Sequence, residues 1–567
     1  VAKFAPDLKT LLAATFIGGS GYDAALAIQV GSDGYIYLAG DTGSTDFPVT
    51  PGSYDTTHNG NNQSPYGVGD VFMARLSPDL TQLTTATFIG GSGHDIPKKM
   101  LINDSGQYVI TGHTNSGDFP VSATAYQVTK AGGAQGEDCF VAVLSADMTD
   151  LTAATFLGGS EDDFCEGLCV NPAGDIFIGG WVRSQDFPTT AGAYDTDYNG
   201  HYYDGFVSRF SSDLSTLAAS TYLGGSSWEF VYAMAIDDSS NIYAAGHTAS
   251  TDYPTTAGVF SPDYNSTAGP NEGDDVFVSV LTPDLASLTA STYLGGNGWE
   301  NAYGLIADSQ HGLIVCGNTN SDDYPTSPMA WQSEFKGGSV HTGDAFVTSL
   351  SLDLTAMNAS TYLGEMGDDG GQWIHLDAAS GELTLSGYTA SATFPTTAGA
   401  YQTAYAGGEA DVFVTRFHVE LTGDPTPTPT VTPTAPNTPT PTPTAALQTG
   451  AKIWMPLEMV APGEPCQCKV TVCNGTGAPL SQHPLFVVLD VGGALFFAPS
   501  FDPIFDHYLS LYPSFDPGYT TVEVLPEFMW PTGAGSFSGA YWYAGLTDPG
   551  MTQLVGEFDM MEFGWTE

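Results

Sequence analysis

The chain has 567 residues, too many for one ordinary hydrophobic core, so it holds several domains or one large body made of repeats. Its 63 Asp and Glu against 12 Lys and Arg give a formal charge of −51, which argues against nucleic acid or an anionic membrane surface as a partner and makes cations the expected company. Hydrophobic residues make up 42%, and 68 glycines without long helical periodicity point to an all-β protein of many short strands.

The chain opens at Val1 without Met, already in mid-strand, as a mature product does after its leader is removed; secretion is the expectation. A double glycine then recurs at Gly18-Gly19, Gly90-Gly91, Gly158-Gly159, Gly224-Gly225 and Gly295-Gly296, degenerating to Gly364-Glu365. The period is near 69 residues. Around each copy lie four strand-like runs. Residues 276–296 give one hairpin, and residues 303–319 give a second that would complete the same unit. Six such units predict a closed β-propeller of six four-stranded blades, with seven blades left open as a count.

The quoted runs TYLGG, YIYLAGDT, NIYAAGHT, STDFP, STDYP and DVFVSVL resemble the SBBP-type β-propeller repeat of secreted bacterial proteins, over residues 1–421. The resemblance implies the propeller fold and little about chemistry, because propellers host unrelated functions. Seven FV-type strands begin near Val1, Val71, Phe140, Phe206, Phe277, Phe346 and Phe413, against six of every other kind. The surplus strand is a fifth edge strand, part of an incomplete seventh blade, or a strand that adds to another subunit.

Three columns of the repeat are acidic. They read Asp23, Asp95, Asp163, Glu229, Glu300 and Asp369; then Asp46, Asp118, Asp186, Asp252 and Asp323, with Thr393 as the exception; then Asp70, Asp138, Asp204, Asp275, Asp344 and Asp411. They either cap turns by accepting backbone N–H bonds or gather Ca²⁺ on one face of the propeller. A long loop precedes the third column, and each copy carries an aromatic expected to pin it: Tyr54, Tyr126, Tyr194, Phe260, Trp331 and Tyr401. In the third repeat this loop reads Asp195-x-Asp197-x-Asn199-Gly200, closed by Asp204. That is the start of an EF-hand-like calcium loop, but Phe206 stands where the closing Glu belongs, so calcium in a shortened site is the expectation.

Another column varies within the constant frame: Asp41, His113, Trp181, His247, Asn318 and Tyr388. With Tyr22, His94, Trp228 and Trp299 it forms a candidate ligand-binding ring for a sugar or peptide, of which His113, Trp181, His247, Trp228 and Trp299 are the chosen residues; scattered solvent-exposed side chains are the alternative.

Residues 422–446 form a linker. Asp424–Thr444 holds eight prolines and nine threonines, an extended spacer whose Thr426, Thr428, Thr430, Thr440 and Thr442 are candidate O-glycan acceptors. Residues 447–567 read as short alternating strands, a β-sandwich with a resemblance to Ig-like adhesion modules. Cys466 and Cys473 are too far apart in one extended strand to bridge each other, and the C-x-C-x4-C spacing is not that of a zinc site, so partial disulfide use with other partners is expected. Asp490 interrupts the most apolar stretch, which leaves no membrane span.

There is no GxSxG elbow, HExxH, P-loop or dinucleotide fingerprint, and no catalytic residues are assigned. The leading expectation is a secreted cell-surface structural or adhesive protein, not an enzyme, that assembles with further copies into a filament or surface layer through strand or domain exchange, or binds cell-surface components. A lectin-like propeller that binds glycans or peptides is the alternative, and a secreted hydrolase comes third.

Overall fold

The computed structural model describes residues 1–60, 69–133, 136–266, 273–339 and 342–421, and the backbone of the strands within 450–565. The chain divides into two compact units, Val1–Pro429 and Thr430–Glu567. Among the described residues there is no α-helix, and hence none long and apolar enough to cross a membrane. The linker residues 422–446, with the candidate glycan acceptors, lie outside the described residues.

The first unit is a six-bladed β-propeller. A hairpin of β1 (Ala2–Phe4) and β2 (Leu11–Ala14) opens it. Blade 1 is β3 (Asp23–Val30), β4 (Ile36–Thr42), β5 (Asp70–Leu76) and β6 (Leu83–Ile89); blade 2 is β7 (Asp95–Ile102), β8 (Tyr108–Thr114), β9 (Asp138–Leu144) and β10 (Leu151–Leu157). Blade 3 is β11 (Asp163–Val170), β12 (Ile176–Val182), β13 (Asp204–Phe210) and β14 (Leu217–Leu223); blade 4 is β15 (Glu229–Ile236), β16 (Ile242–Thr248), β17 (Asp275–Leu281) and β18 (Leu288–Leu294). Blade 5 is β19 (Glu300–Asp308), β20 (Gly312–Thr319), β21 (Asp344–Leu350) and β22 (Met357–Leu363), and blade 6 is β23 (Asp369–Asp377), β24 (Glu382–Thr389) and β25 (Asp411–His418).

Two expectations change. The hairpin of residues 276–296 completes the unit before it: β17 pairs with β16, while residues 303–319 open blade 5. Among the described residues blade 6 has three strands instead of four.

Burial follows strand position. The third strands of blades 2, 4 and 5, DVFVSVL in blade 4, are buried at every residue because neighbouring sheets cover both faces. Each third strand turns into the fourth through a residue of positive φ, such as Leu285 at 54°, whose side chain is wholly buried; packing outweighs the left-handed strain. The loop aromatics clamp blade to blade as expected: the N–H of Tyr54, Tyr126, Tyr194 and Phe260 donates to the carbonyl of Met148, Leu214, Leu285 and Leu354, in the third-to-fourth turn of the following blade, at 2.7–2.9 Å.

The double glycines are the joints between blades. The amide of the second glycine donates to the acid that opens the next first strand: Gly91 to Asp95 at 2.8 Å, Gly159 to Asp163 at 2.6 Å, Gly225 to Glu229 and Gly296 to Glu300 at 3.0 Å. Hydroxyls at the end of the second strand complete the shell, as Thr248 Oγ1 does on Glu229 at 2.6 Å and Ser116 Oγ on Asp95 at 3.0 Å. The second acidic column accepts the next amide along, Ser20 N to Asp46 at 2.8 Å and Ser92 N to Asp118 at 2.8 Å. A Cβ on Gly91 would come within 2.5 Å of Asp118 Oδ1, so the glycine makes room for that carboxylate. In the sixth repeat both partners differ together, Glu365 replacing the glycine and Thr393 the acid.

That coincidence predicts coupling. Thr393→Asp alone should destabilise the protein, and Glu365→Gly/Thr393→Asp should recover stability, with an interaction energy of about 0.5–3 kcal/mol in a denaturant double-mutant cycle. Additive effects would contradict the pairing.

The backbone of the second unit forms an antiparallel sheet of Gly450–Trp454, Pro465–Asn474 and Gly518–Met529. A five-stranded sheet orders Met459–Val460, Asp559–Trp565, Phe537–Leu546, Leu485–Val491 and Ala494–Phe497, and a two-stranded pair joins Leu480–Ser481 to Ser514–Phe515. Cys466 and Cys473 share one strand, as expected.

Candidate binding funnel and acidic joints

The third acidic column also caps backbone. Asp70, Asp138, Asp204 and Asp275 each accept a loop amide, from Asn59, Ala131, Asn199 and Asn265, at 2.7 Å. The same residues are buried and stand beside the first-column acid of the next blade, so that a Cβ on Gly90 would meet Asp70 Oδ1 and Asp95 Oδ2 both at 2.7 Å. Burial raises both members of these pairs: Asp70 and Asp204 to about 6, Asp95, Asp163, Glu229, Glu300 and Asp344 to about 7, and Asp275 to about 8. The neighbouring carboxylate adds to the shift of Asp275, through Glu300.

The predicted calcium loop uses its oxygens on itself. Asp195 Oδ1 accepts the Asp197 amide at 2.9 Å, Asp195 Oδ2 accepts the Asn199 side-chain amide at 2.8 Å, and Asp204 Oδ2 accepts the Asn199 backbone amide. Blade 1 builds the same turn from Asp55, Asn59 and Asp70 without the D-x-D spacing. Among the described residues there is no group of three or more His, Cys, Asp or Glu that could hold a metal ion.

The funnel lies along the first strands, which pack against one another from blade to blade around the axis. Every first strand bulges, skipping Leu26, Lys98, Glu166, Tyr232, Tyr303 or Gln372 in the ladder. Opposite the bulge the second strand needs glycine: a Cβ on Gly246 would strike the carbonyl of Phe230. Lys98 Nζ meets Glu166 Oε1 at 2.9 Å, and Lys99 Nζ lies 3.7 Å over the ring of Trp373, joining blade 2 to blade 6. Burial lowers Lys99 to about 8.

Three of the chosen ligand residues come together. Trp181 stacks on Phe164 at 3.9 Å, His113 meets Phe164 at 4.8 Å, and Phe230 bridges Trp181 at 5.1 Å to His247 at 4.7 Å. Tyr232 extends the ladder to Tyr303 at 5.4 Å. Trp228 joins through Asp274, donating Nε1–H to Oδ1 at 3.2 Å, while His247 Nε2 lies 3.5 Å from Oδ2. Burial lowers His247 to about 3 and raises Asp274 to about 6, so His247 is neutral at pH 7 and this approach is not an ion pair. Trp299 stands one blade on, its N–H on Asn320 Oδ1 at 2.6 Å. Among the described residues, buried atoms without a hydrogen-bond partner in this cluster are His113 Nδ1, Glu137 Oε2, His247 Nδ1 and Asp274 Oδ2. Sequence reasoning missed Phe164, Phe230, Tyr232, Glu137 and Asp274; their signal was aromatic and acidic side chains one or three places after the first acid, or just before the third. Four cysteines, Cys139, Cys165, Cys169 and Cys316, are buried free thiols.

This architecture defines a β-propeller whose blades are joined through double glycines and buried acids. Residues 220–254, from within β14 to the loop after the second strand of blade 4, match the model of the SBBP family, described as a beta-propeller repeat. No curated protein matches the sequence. Among solved structures, a protein of unknown function from Dyadobacter fermentans DSM 18053 is 12% identical, with 66% of this chain and 92% of that chain covered and a TM-score of 0.35. A glucose dehydrogenase is 11% identical over 56% and 86%, with a TM-score of 0.28, and the plexin A4 extracellular region is 8% identical over 97% and 62%, with a TM-score of 0.31.

Two outcomes follow for solution behaviour. The joint acids lose their protons near pH 4 in the unfolded chain but only at about 6–8 in the folded one. Between those limits the native state binds more protons, so stability falls as pH rises. Thermal melts should show Tm dropping from pH 5 to pH 8, and a flat or rising Tm would contradict the buried pairs. Because the loop engages its own oxygens, EDTA should leave Tm unchanged; a chelator-induced drop that Asp195→Asn abolishes would restore the calcium site.

Proposed function

We propose that this is an extracellular adhesive propeller that recognises a glycan or another flat polar ligand in the axial funnel, and that it acts by binding and not by catalysis. The observation carrying this reading is the coincidence, in one strip across blades 2 to 4, of half-buried aromatic rings with buried polar atoms that lack partners among the described residues. Such atoms are costly unless a ligand or water satisfies them, and stacked aromatics supply apolar faces of the kind sugar rings cover. The Pro/Thr segment suits a spacer between two binding units. A structural role in a larger assembly is the second reading; the hairpin β1–β2 is a two-stranded sheet of its own, packed on blade 1 and hydrogen-bonded to blade 6.

Glycan-array binding by the full chain tests the reading. Trp181→Ala and Trp228→Ala should each weaken binding on the order of tenfold with an unchanged melt. No binding to any glycan, or binding indifferent to both substitutions, would remove the funnel from the account.

A further inference from the structure

Cys139 and Cys165 stand on opposite sides of the joint between blades 2 and 3. Cys139 follows the joint acid Asp138 in β9, and Cys165 lies two places after the joint acid Asp163 in β11. Both are wholly buried, and both belong to the hydrophobic cluster that blades 2 and 3 share, together with Val141, Val143, Ile178 and Phe206. The other two propeller cysteines lie elsewhere. Past the bulge at Glu166, Cys169 packs in the cluster of blades 3 and 4, and Cys316 packs in that of blades 5 and 6. Among the described residues, no other two cysteines share a cluster.

The other joints show that these two positions face each other. Between blades 3 and 4 they are Gly205 and Val231, and a Cβ on Gly205 would lie 3.3 Å from Val231 Cγ2. A disulfide puts each Cβ roughly 3 Å from the far sulfur, so the spacing that seats a valine γ-carbon here also suits a bridge. Between blades 4 and 5 the pair is Val276 and Ala302, both wholly buried in one cluster. Val71 and Pro97 hold the positions between blades 1 and 2, and Ala345 and Gly371 hold them between blades 5 and 6. Small or apolar residues thus fill this place in four joints, and in the fifth both partners are cysteine together. The contacts at Cys165 use its sulfur mainly as an acceptor. Thr111 Oγ1 donates to Sγ at 2.9 Å, whereas the carbonyls of Gly167 and Gly179 lie at 3.7 and 3.6 Å, so the thiol proton makes only weak bonds and its loss costs little.

We propose that Cys139 and Cys165 form a disulfide that staples blade 2 to blade 3 across their acidic joint. The oxidant is a small-molecule disulfide such as oxidised glutathione. The thiolate of one cysteine attacks it and releases one glutathione, and the second cysteine then displaces the other, which leaves one S–S bond in the protein and two glutathione thiols in solution. Burial first, and then the hydrogen bond with Cys165, raise the Cys139 thiol well above its ordinary range. A thiol held protonated is a poor nucleophile, so the bridge forms as the blades dock and not in the closed joint. The inference is independent of the funnel reading.

The test folds the full-length chain in a buffer of reduced and oxidised glutathione, blocks the remaining thiols with iodoacetamide in denaturant, and reads the unreduced digest by mass spectrometry. A peptide pair joined through Cys139 and Cys165 is expected. Finding both cysteines blocked, or either bridged to another cysteine of the chain, would overturn the proposal. Reduction of the bridged protein should lower Tm by a few degrees. Cys139→Val/Cys165→Ala installs the pair found between blades 4 and 5, so it should fold and shrink that difference. A difference undiminished in this variant would show that no bridge holds the joint.

Discussion

A buried carboxyl that accepts the amide of the second glycine holds the propeller together. It ties the end of one blade's outermost strand to the start of the next blade's innermost strand, and the Thr and Ser hydroxyls of the second strand close the shell around it. Hydrogen bonds to a charged or polarised carboxyl in such a site contribute about 1.5–3 kcal/mol each, but burying the group costs a comparable amount, which is why its proton is held more tightly than in water. In the four pairs from Gly90-Gly91 to Gly295-Gly296 the first glycine is required by two carboxyls and the second by a third, so the double glycine and the acidic columns form one repeated device. Part of the strong negative charge is thus structural.

Much of this was legible in the residues. The period, the blade count, the acidic columns and the anchoring aromatics all follow from repetition, because a feature present in six copies stands out without an alignment. The acids accept backbone amides, as the turn-capping reading has it, and the two irregularities of the sixth repeat, Glu365 and Thr393, fall at positions that face each other in the other repeats. The Thr and Ser of Thr248-x-Ser250 and its copies stood in the same motif and are the acids' partners.

Other parts were not legible, for physical reasons. The hairpin of residues 276–296 pairs backward rather than forward, and strand propensity carries no information on which neighbour a hairpin joins. The funnel residues escaped because the bulge in every first strand breaks the two-residue period, so Glu166 and Tyr232 leave the face that simple alternation assigns them. In Asp195-x-Asp197-x-Asn199-Gly200 the sequence does not separate an Asx turn from a calcium loop, because both use the same oxygen-rich, glycine-terminated bends. Counting seven FV-type strands did locate the irregular place in the ring, although the surplus lies in a paired hairpin and not in a loose strand.

One joint differs from the others: the Gly19 amide bonds Asp23 at 2.8 Å at the first strand of blade 1, where Asp23 is only half-buried. Backbone amide hydrogen exchange in the full-length protein compares this joint with the others directly. The account predicts that Gly91, Gly159, Gly225 and Gly296 exchange only on global unfolding, and that Gly19 exchanges at least about tenfold faster through local opening. Equal protection at all five glycines would mean that burial of the acid does not set the strength of the joint, and loop-like exchange at the four inner joints would mean that the buried carboxyls do not hold the blades.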